Sequence, residues 1–325
     1  MTKDPLSHYR ELSERESFST EVIRSIRSNL ASSLEEDGWT SHFSIAVTGS
    51  FGRKEASTES DMDAFILSDG RLSTSELETI SHHYNEAVYR HIDRPPGSSG
   101  AFDIATQETV SEMVRNIGSG LDDNRKLTRR LLLLLEGDWL YGRETFGACR
   151  RELVKTYIKP EIPDKHLVRF LLNDVIRYYR TITTDFEQKV SEGGKSWGLR
   201  KVNLRFSRKL LYFSGLITVA ETPNMEREEK IHRVLDLLSL SPLRRLMELS
   251  SDEPAEILGI YNSFLSRISN PDVRKELNHL KREFREESAL YTELRGKGAD
   301  FSHSLARWLK KEYTEEHPIH HELLF

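Results

Sequence analysis

Apolar positions in the first third of the chain change their period twice, and that change sets the element order. From residue 8 to residue 36 they recur helically, with Ile23, Ile26, Leu30 and Leu34 on one stripe, and Asp37-Gly38 ends the run. Phe43 to Thr48 is short, apolar and β-rich, which predicts a buried strand closing at Gly49-Ser50, and Phe51 to Ala56 reads as a short helix. Met62 to Leu67 predicts a second strand, Ser75 to Arg90 a helix, and Pro95 to Gly100 a loop. A third strand is expected at Ala101 to Ala105. Beyond it the pattern is helical only, over Thr109–Ile117, Asp123–Trp139, Pro163–Phe186 and from Arg205 onward. The expected fold is α+β: a catalytic-type unit with a short mixed sheet over residues 1–145, then an all-helical bundle over 146–325.

Composition narrows the class. The chain has 325 residues, with 47 Lys and Arg against 52 Asp and Glu, a formal charge of −5. Its longest apolar run, Leu131 to Leu135, falls far short of the ~18 residues of a membrane-spanning helix. Cys149 is the single cysteine, so an internal disulfide and a CxxC zinc knuckle are both excluded. With no hydrophobic signal core near Met1, a cytoplasmic location is expected.

Candidate chemistry concentrates between Thr48 and Leu67. Asp61 and Asp63 stand two apart at the start of a strand, so alternation puts both carboxylates on one face. Such a pair repels unless a cation joins it, and Mg²⁺ (or Mn²⁺) takes one or two carboxylates together with phosphate oxygens. Asp103, on the expected third strand, could complete a set able to hold two metals about 4 Å apart, suited to in-line phosphoryl transfer. Gly49 allows close backbone approach of a phosphate, and the Ser50 hydroxyl with the helix amides can donate to it. Arg53, one turn on, could reach a phosphate or pair with Glu55 or a catalytic carboxylate. An isolated Asp-x-Asp is usually a solvated strand edge. Here it comes eleven residues after Ser50, behind a strand and a Gly-Ser turn, and the combination favours a site.

The run Gly49-Ser50-x-x-Arg53-x-Glu55, continued by Ser60-Asp61-x-Asp63, resembles the signature of the DNA polymerase β-like nucleotidyltransferase superfamily. It is most similar to the bacterial uridylyltransferases that modify the nitrogen-regulatory PII protein, and to their short relatives. The resemblance implies that Asp61 and Asp63 bind two Mg²⁺, with Asp103 third by strand order, while Gly49 and Ser50 hold a nucleoside triphosphate. It further implies transfer of a nucleoside monophosphate to a hydroxyl, with a protein acceptor ahead of an RNA 3′ end and a small molecule such as an aminoglycoside. A non-catalytic nucleotide sensor or antitoxin-like partner is the alternative outside enzymes, against which the three candidate carboxylates count. Asp123 to Asp138 resembles the Arg-bearing helix that follows the catalytic unit in that branch, and Glu192 to Val202 its later Gly-rich loop. No His-Asp dipeptide occurs, so removal of the nucleotide is not implied.

The helical half adds candidate cations. Asn173, Arg177, Arg180 and Thr184 share one helix face, which could line a nucleotide cleft or simply meet water. From Lys189 to Lys209 seven basic residues, including Arg200, Lys201, Arg205, Arg208 and Lys209, face one acid, Glu192. That reversal in an acidic chain points to an anionic ligand such as nucleotide phosphates. Trp197 could stack on a base or pack against its loop. Gly193-Gly194-Lys195-Ser196 is no P-loop, because Lys189 stands where the motif requires glycine. His317, His320 and His321 read as a mobile polar tail.

Overall fold

The computed structural model describes residues 4–39, 42–94, 104–105, 107–115, 117–191 and 196–323, with backbone alone at 187–191. The sheet is built from β1 (Phe43–Val47), β2 (Ala64–Ser68), β3 (Gln107–Thr109) and β4 (Asp138–Tyr141), in the order β3-β2-β1-β4. β1 runs antiparallel to β2 and β4, and β3 runs parallel to β2. The helices of this region are α1 (Arg10–Glu36), α2 (Gly49–Gly52), α3 (Thr74–Tyr89), α4 (Val110–Val114), α5 (Asn124–Leu135) and α6 (Arg143–Tyr157). A mixed α+β chain with a small sheet is what the sequence pattern predicts.

Register explains why the strands read as unbroken apolar runs. Pairing Phe43 with Ser68, Ile45 with Ile66 and Val47 with Ala64 puts Phe43, Ile45, Val47, Ala64 and Ile66 on one face. They join the α1 stripe Ile23, Ile26, Leu30 and Leu34, and Ile80, Tyr84 and Val88 of α3, in one core. The opposite face, with Ser44, Ala46, Phe65 and Leu67, is also buried, and α6 packs on that sheet. Strands covered on both sides have no polar alternation to show.

Four local expectations need correction. β4 lies where helix was expected to continue to Trp139; α5 ends at Leu135, and Gly137 turns the chain back so tightly that a Cβ there would lie 2.4 Å from the Leu133 carbonyl oxygen. The third described strand is Gln107–Thr109, whereas Ile104 and Ala105 form a turn and residues 101–103 lie outside the described residues. The short helix begins at Gly49 rather than Phe51. His317, expected in a mobile tail, caps the helix Pro318–Glu322 by accepting from the Ile319 amide at 3.2 Å.

By internal contacts the chain forms two compact units, each discontinuous. The sheet unit comprises Arg15–Asp164 and Met225–Ser241; the expected boundary at 145 falls inside it, within α6. The helical unit comprises the segment ending at Glu14, Lys165–Asn224, and the chain from Pro242 on. The next helices are α7 (Arg169–Ser191), α8 (Gly198–Arg205), α9 (Ser207–Ala220) and α10 (Arg227–Ser239), of which α10 belongs to the sheet unit. They are followed by α11 (Pro242–Glu248), α12 (Ala255–Ser269), α13 (Pro271–His279) and α14 (Ala289–Glu312). An aromatic cluster centres the helical unit, with Phe206 stacked on Phe264 at 4.2 Å and Phe301 and Tyr261 beside them. Among the described residues no helix is long and apolar enough to cross a membrane.

Candidate active site

The site is built where β1 breaks into α2. Gly49 takes φ +68°, a left-handed conformation natural to glycine, and the chain closes into a single helical turn. β2 begins beside it: the Thr48 amide donates to the Asp63 carbonyl at 2.9 Å, extending the β1–β2 ladder by one step. Met62 is fully buried in the α1–α3 core, whereas Asp61 is exposed and Asp63 half-buried. β2 starts at Ala64 rather than at Met62 as expected, so both aspartates precede the strand instead of opening it.

One contact places the Asp63 carboxylate, and both acids act on a buried neighbour. A Cβ on Gly49 would come within 2.7 Å of Asp63 Oδ2, so the bare glycine backbone is the floor on which that carboxylate rests. The buried Tyr84 phenol, donating to the Met62 carbonyl at 3.1 Å, is held well above its usual pKa by burial first, then by the charges of Asp63 and Asp61. Both acids therefore lie within electrostatic reach of one hydroxyl.

The bend is braced from behind by a buried ion network. Glu136, between α5 and β4, accepts from the Gly49 amide at 2.8 Å and from Arg53 at 2.6 Å. Arg53 also donates to Glu55 at 2.9 Å, and all three side chains are buried. Gly52 permits the close approach, since a Cβ there would sit 2.3 Å from the Glu136 carbonyl oxygen. Arg15 donates to the Glu55 carbonyl at 2.7 Å, and the Ser19 hydroxyl accepts from the Ala56 amide at 3.0 Å, tying the end of the bend to α1. Of the alternatives open to Arg53, this geometry takes the carboxylate pairing, and the guanidinium braces the bend instead of facing a phosphate. The Gly49 amide is likewise engaged, and Ser50 is half-buried on the first turn.

Glu136 escaped the sequence reading. Its one signal was the Glu136-Gly137-Asp138 turn after an apolar helix, and nothing in that turn names its partners 83 and 87 residues away. Asp138 anchors the same corner, accepting from Lys54 and Arg27, each at 2.7 Å, while the Arg27 guanidinium lies 3.7 Å from the centre of the Trp139 ring. A cavity of about 520 Å³ opens behind the bend, lined by Gly52, Lys54, Glu136, Trp139, Arg143 and Arg150 among others. Neither Asp61 nor Asp63 lines it.

Asp103 lies outside the described residues. Glu108 on β3 is level with Leu67 of β2, four residues after Asp63 in the chain, and is paired with Arg129. Among the described residues no group of three His, Cys, Asp or Glu side chains gathers as a metal site. Two hard carboxylates close in sequence, one seated on bare glycine backbone, are of the donor type that suits Mg²⁺, which commonly completes its shell with water and phosphate oxygens.

The cations expected in the helical half take different places. Arg177 is 3.8 Å from Asp174, and Arg180 is exposed along with Asn173 and Thr184, so that face of α7 meets water. Arg200 is half-buried. Arg208 donates to the Tyr178 hydroxyl at 3.5 Å and Lys209 to Ser302. Lys201 and Arg205 line a second, smaller cavity with Trp197. Trp197 packs on Tyr291 at 4.8 Å, which answers the choice between stacking on a base and packing in favour of packing.

Compared with protein-family models and with curated proteins, the chain matches none.

Proposed function

We propose that the protein is a Mg²⁺-dependent nucleotidyltransferase that moves a nucleoside monophosphate from a nucleoside triphosphate to an acceptor hydroxyl. One observation supports this reading above the others: the Asp63 carboxylate rests on the glycine of the Gly-Ser bend, with Asp61 exposed two residues before it. Asp61 and Asp63 would hold Mg²⁺, with Asp103 as the third ligand. The metal would neutralise phosphate charge and lower the pKa of the attacking hydroxyl. Gly49 leaves room for a phosphoryl group beside Asp63, and the Ser50 hydroxyl donates to one of its oxygens. Glu136 and Arg53 keep the bend in register with β2, so that phosphate and carboxylates meet without rearrangement. The acceptor oxygen attacks the α-phosphorus in line, pyrophosphate leaves, and the hydroxyl proton passes to the third carboxylate. The proposed acceptor is a protein side chain, in keeping with the branch that the bend resembles.

Incubation with each α-labelled nucleoside triphosphate, Mg²⁺ and cell lysate should label a protease-sensitive product. Label sensitive only to RNase would move the acceptor to RNA. Asp61→Asn with Asp63→Asn should end labelling without changing the melting temperature; labelling that persists in that variant rules out the mechanism.

A further inference from the structure

The smaller cavity, about 170 Å³, lies wholly within the helical unit. Trp197, Lys201, Arg205, Arg282, Arg285, Tyr291 and Arg295 line it, five cations and two aromatic rings. In a chain of net charge −5, this is a local concentration of positive groups, and such a lining suits an anion. Glu286 accepts from Arg295 at 2.8 Å and from Arg285 at 3.2 Å, which fixes two of these guanidinium groups in the lining.

Orphaned donors in the lining supply a second, independent observation. Trp197 is 4% exposed, yet its indole N–H has no hydrogen-bond partner. Arg205 Nε is buried and equally without one. Buried N–H groups are nearly always satisfied, so two orphans in one cavity wall call for an acceptor that enters it. Both donors are held in place. The Trp197 ring packs on Tyr291, and the Arg205 stem lies against Gly298 of α14, where a Cβ would come within 3.2 Å of it.

We propose that this cavity is a phosphoryl-anion site that works without metal, filled by the oxygens of pyrophosphate or of a phosphate monoester. Its volume is below the ~300 Å³ at which pockets take drug-sized ligands, so it takes a phosphoryl head and leaves any larger body outside. Guanidinium forks offer paired donors to phosphate oxygens, and the indole N–H adds one neutral donor. The assignment is independent of the carboxylates at Asp61 and Asp63.

Calorimetry on the full chain in EDTA, with pyrophosphate, AMP and adenosine as probes, tests it. Pyrophosphate or AMP should bind once per chain, the stronger of the two naming the source, and adenosine should not bind. Arg285→Gln with Arg295→Gln changes two half-exposed side chains and should weaken binding by about 10-fold or more at an unchanged melting temperature. Trp197→Phe keeps the ring and should weaken it several-fold. Asp61→Asn with Asp63→Asn should bind as the unaltered chain does, which keeps this result separate from the fate of the transferase reading. Absence of saturable binding, full affinity in the double glutamine variant, loss of affinity in the double asparagine variant, or affinity for oligonucleotides alone would overturn the proposal.

Discussion

Gly49 and Gly52 are three residues apart, and their substitution should fail in different ways. A methyl at Gly49 would meet the end of the Asp63 side chain and would also demand a left-handed backbone from alanine. Gly49→Ala should cost about 1–3 kcal/mol of stability. By pushing the carboxylate aside it should slow nucleotide transfer about 100-fold, read by the labelling assay. A methyl at Gly52 would meet the Glu136 backbone, which has nowhere to go, so Gly52→Ala should lower the melting temperature more than Gly49→Ala does. Cys149 offers a check of another kind. It is fully buried, and burial pushes its thiol up to about 12. A disulfide reagent at pH 8 should therefore react with the native protein only as fast as it opens; rapid stoichiometric reaction would contradict the buried position.

Among the elements, the corner joining α5 to β4 gathers Glu136 and Asp138 with the cations Arg53, Lys54 and Arg27. Glu136→Gln would remove the charged partner of Arg53 across the bend and weaken the grip on the Gly49 amide. The expected loss is about 3 kcal/mol in denaturant unfolding, with transfer activity falling as well. Burial alone would raise the Asp138 carboxyl, but Lys54 and Arg27 beside it outweigh burial and hold it below its ordinary 3.8. A depressed folded pKa gives stability that is complete above the ordinary value and fades as the pH falls through the folded one. Asp138→Asn should thus lower stability at neutral pH and flatten its decline below about pH 4; a parallel decline in both proteins would exclude this linkage.

The same elements show what the sequence could reveal. α1, β1 and β2 were legible because each is a contiguous apolar stripe or run. β3 was misplaced, since Gln107-Glu108-Thr109 has no apolar alternation, and β4 was hidden behind five consecutive leucines that read as helix. The partnership of Glu136 with Gly49 and Arg53 spans too much chain for any local pattern. Half of the phosphoryl cavity was visible as the charge reversal around Lys201 and Arg205. Its other half was masked, because Arg282, Arg285 and Arg295 are interleaved with Glu283, Glu286 and Glu287 and leave no net local charge.

At the scale of the whole molecule, the sheet unit is completed by α10, which joins it from beyond Asn224. Ile231, Val234 and Leu238 of α10 are buried, and α10 packs on α6. Lys230 donates to the Asp164 carbonyl at 2.7 Å and Arg227 to the Ile158 carbonyl at 3.0 Å, so the chain leaves this unit and returns close to the same spot. Residues 15–164 alone should therefore melt without cooperativity. Joining Met225–Ser241 after Asp164 through a short Gly-Ser linker should restore a sharp transition, measured by circular dichroism.

That return path also orders events during synthesis. The two aspartates leave the ribosome early, yet the helix that covers α6 follows only after residues 165–224 have been made. At translation rates of about 5–20 residues per second, the nascent chain exposes the apolar face of α6 for roughly 3–12 s before its own sequence can shield it, an interval in which a chaperone has something to hold.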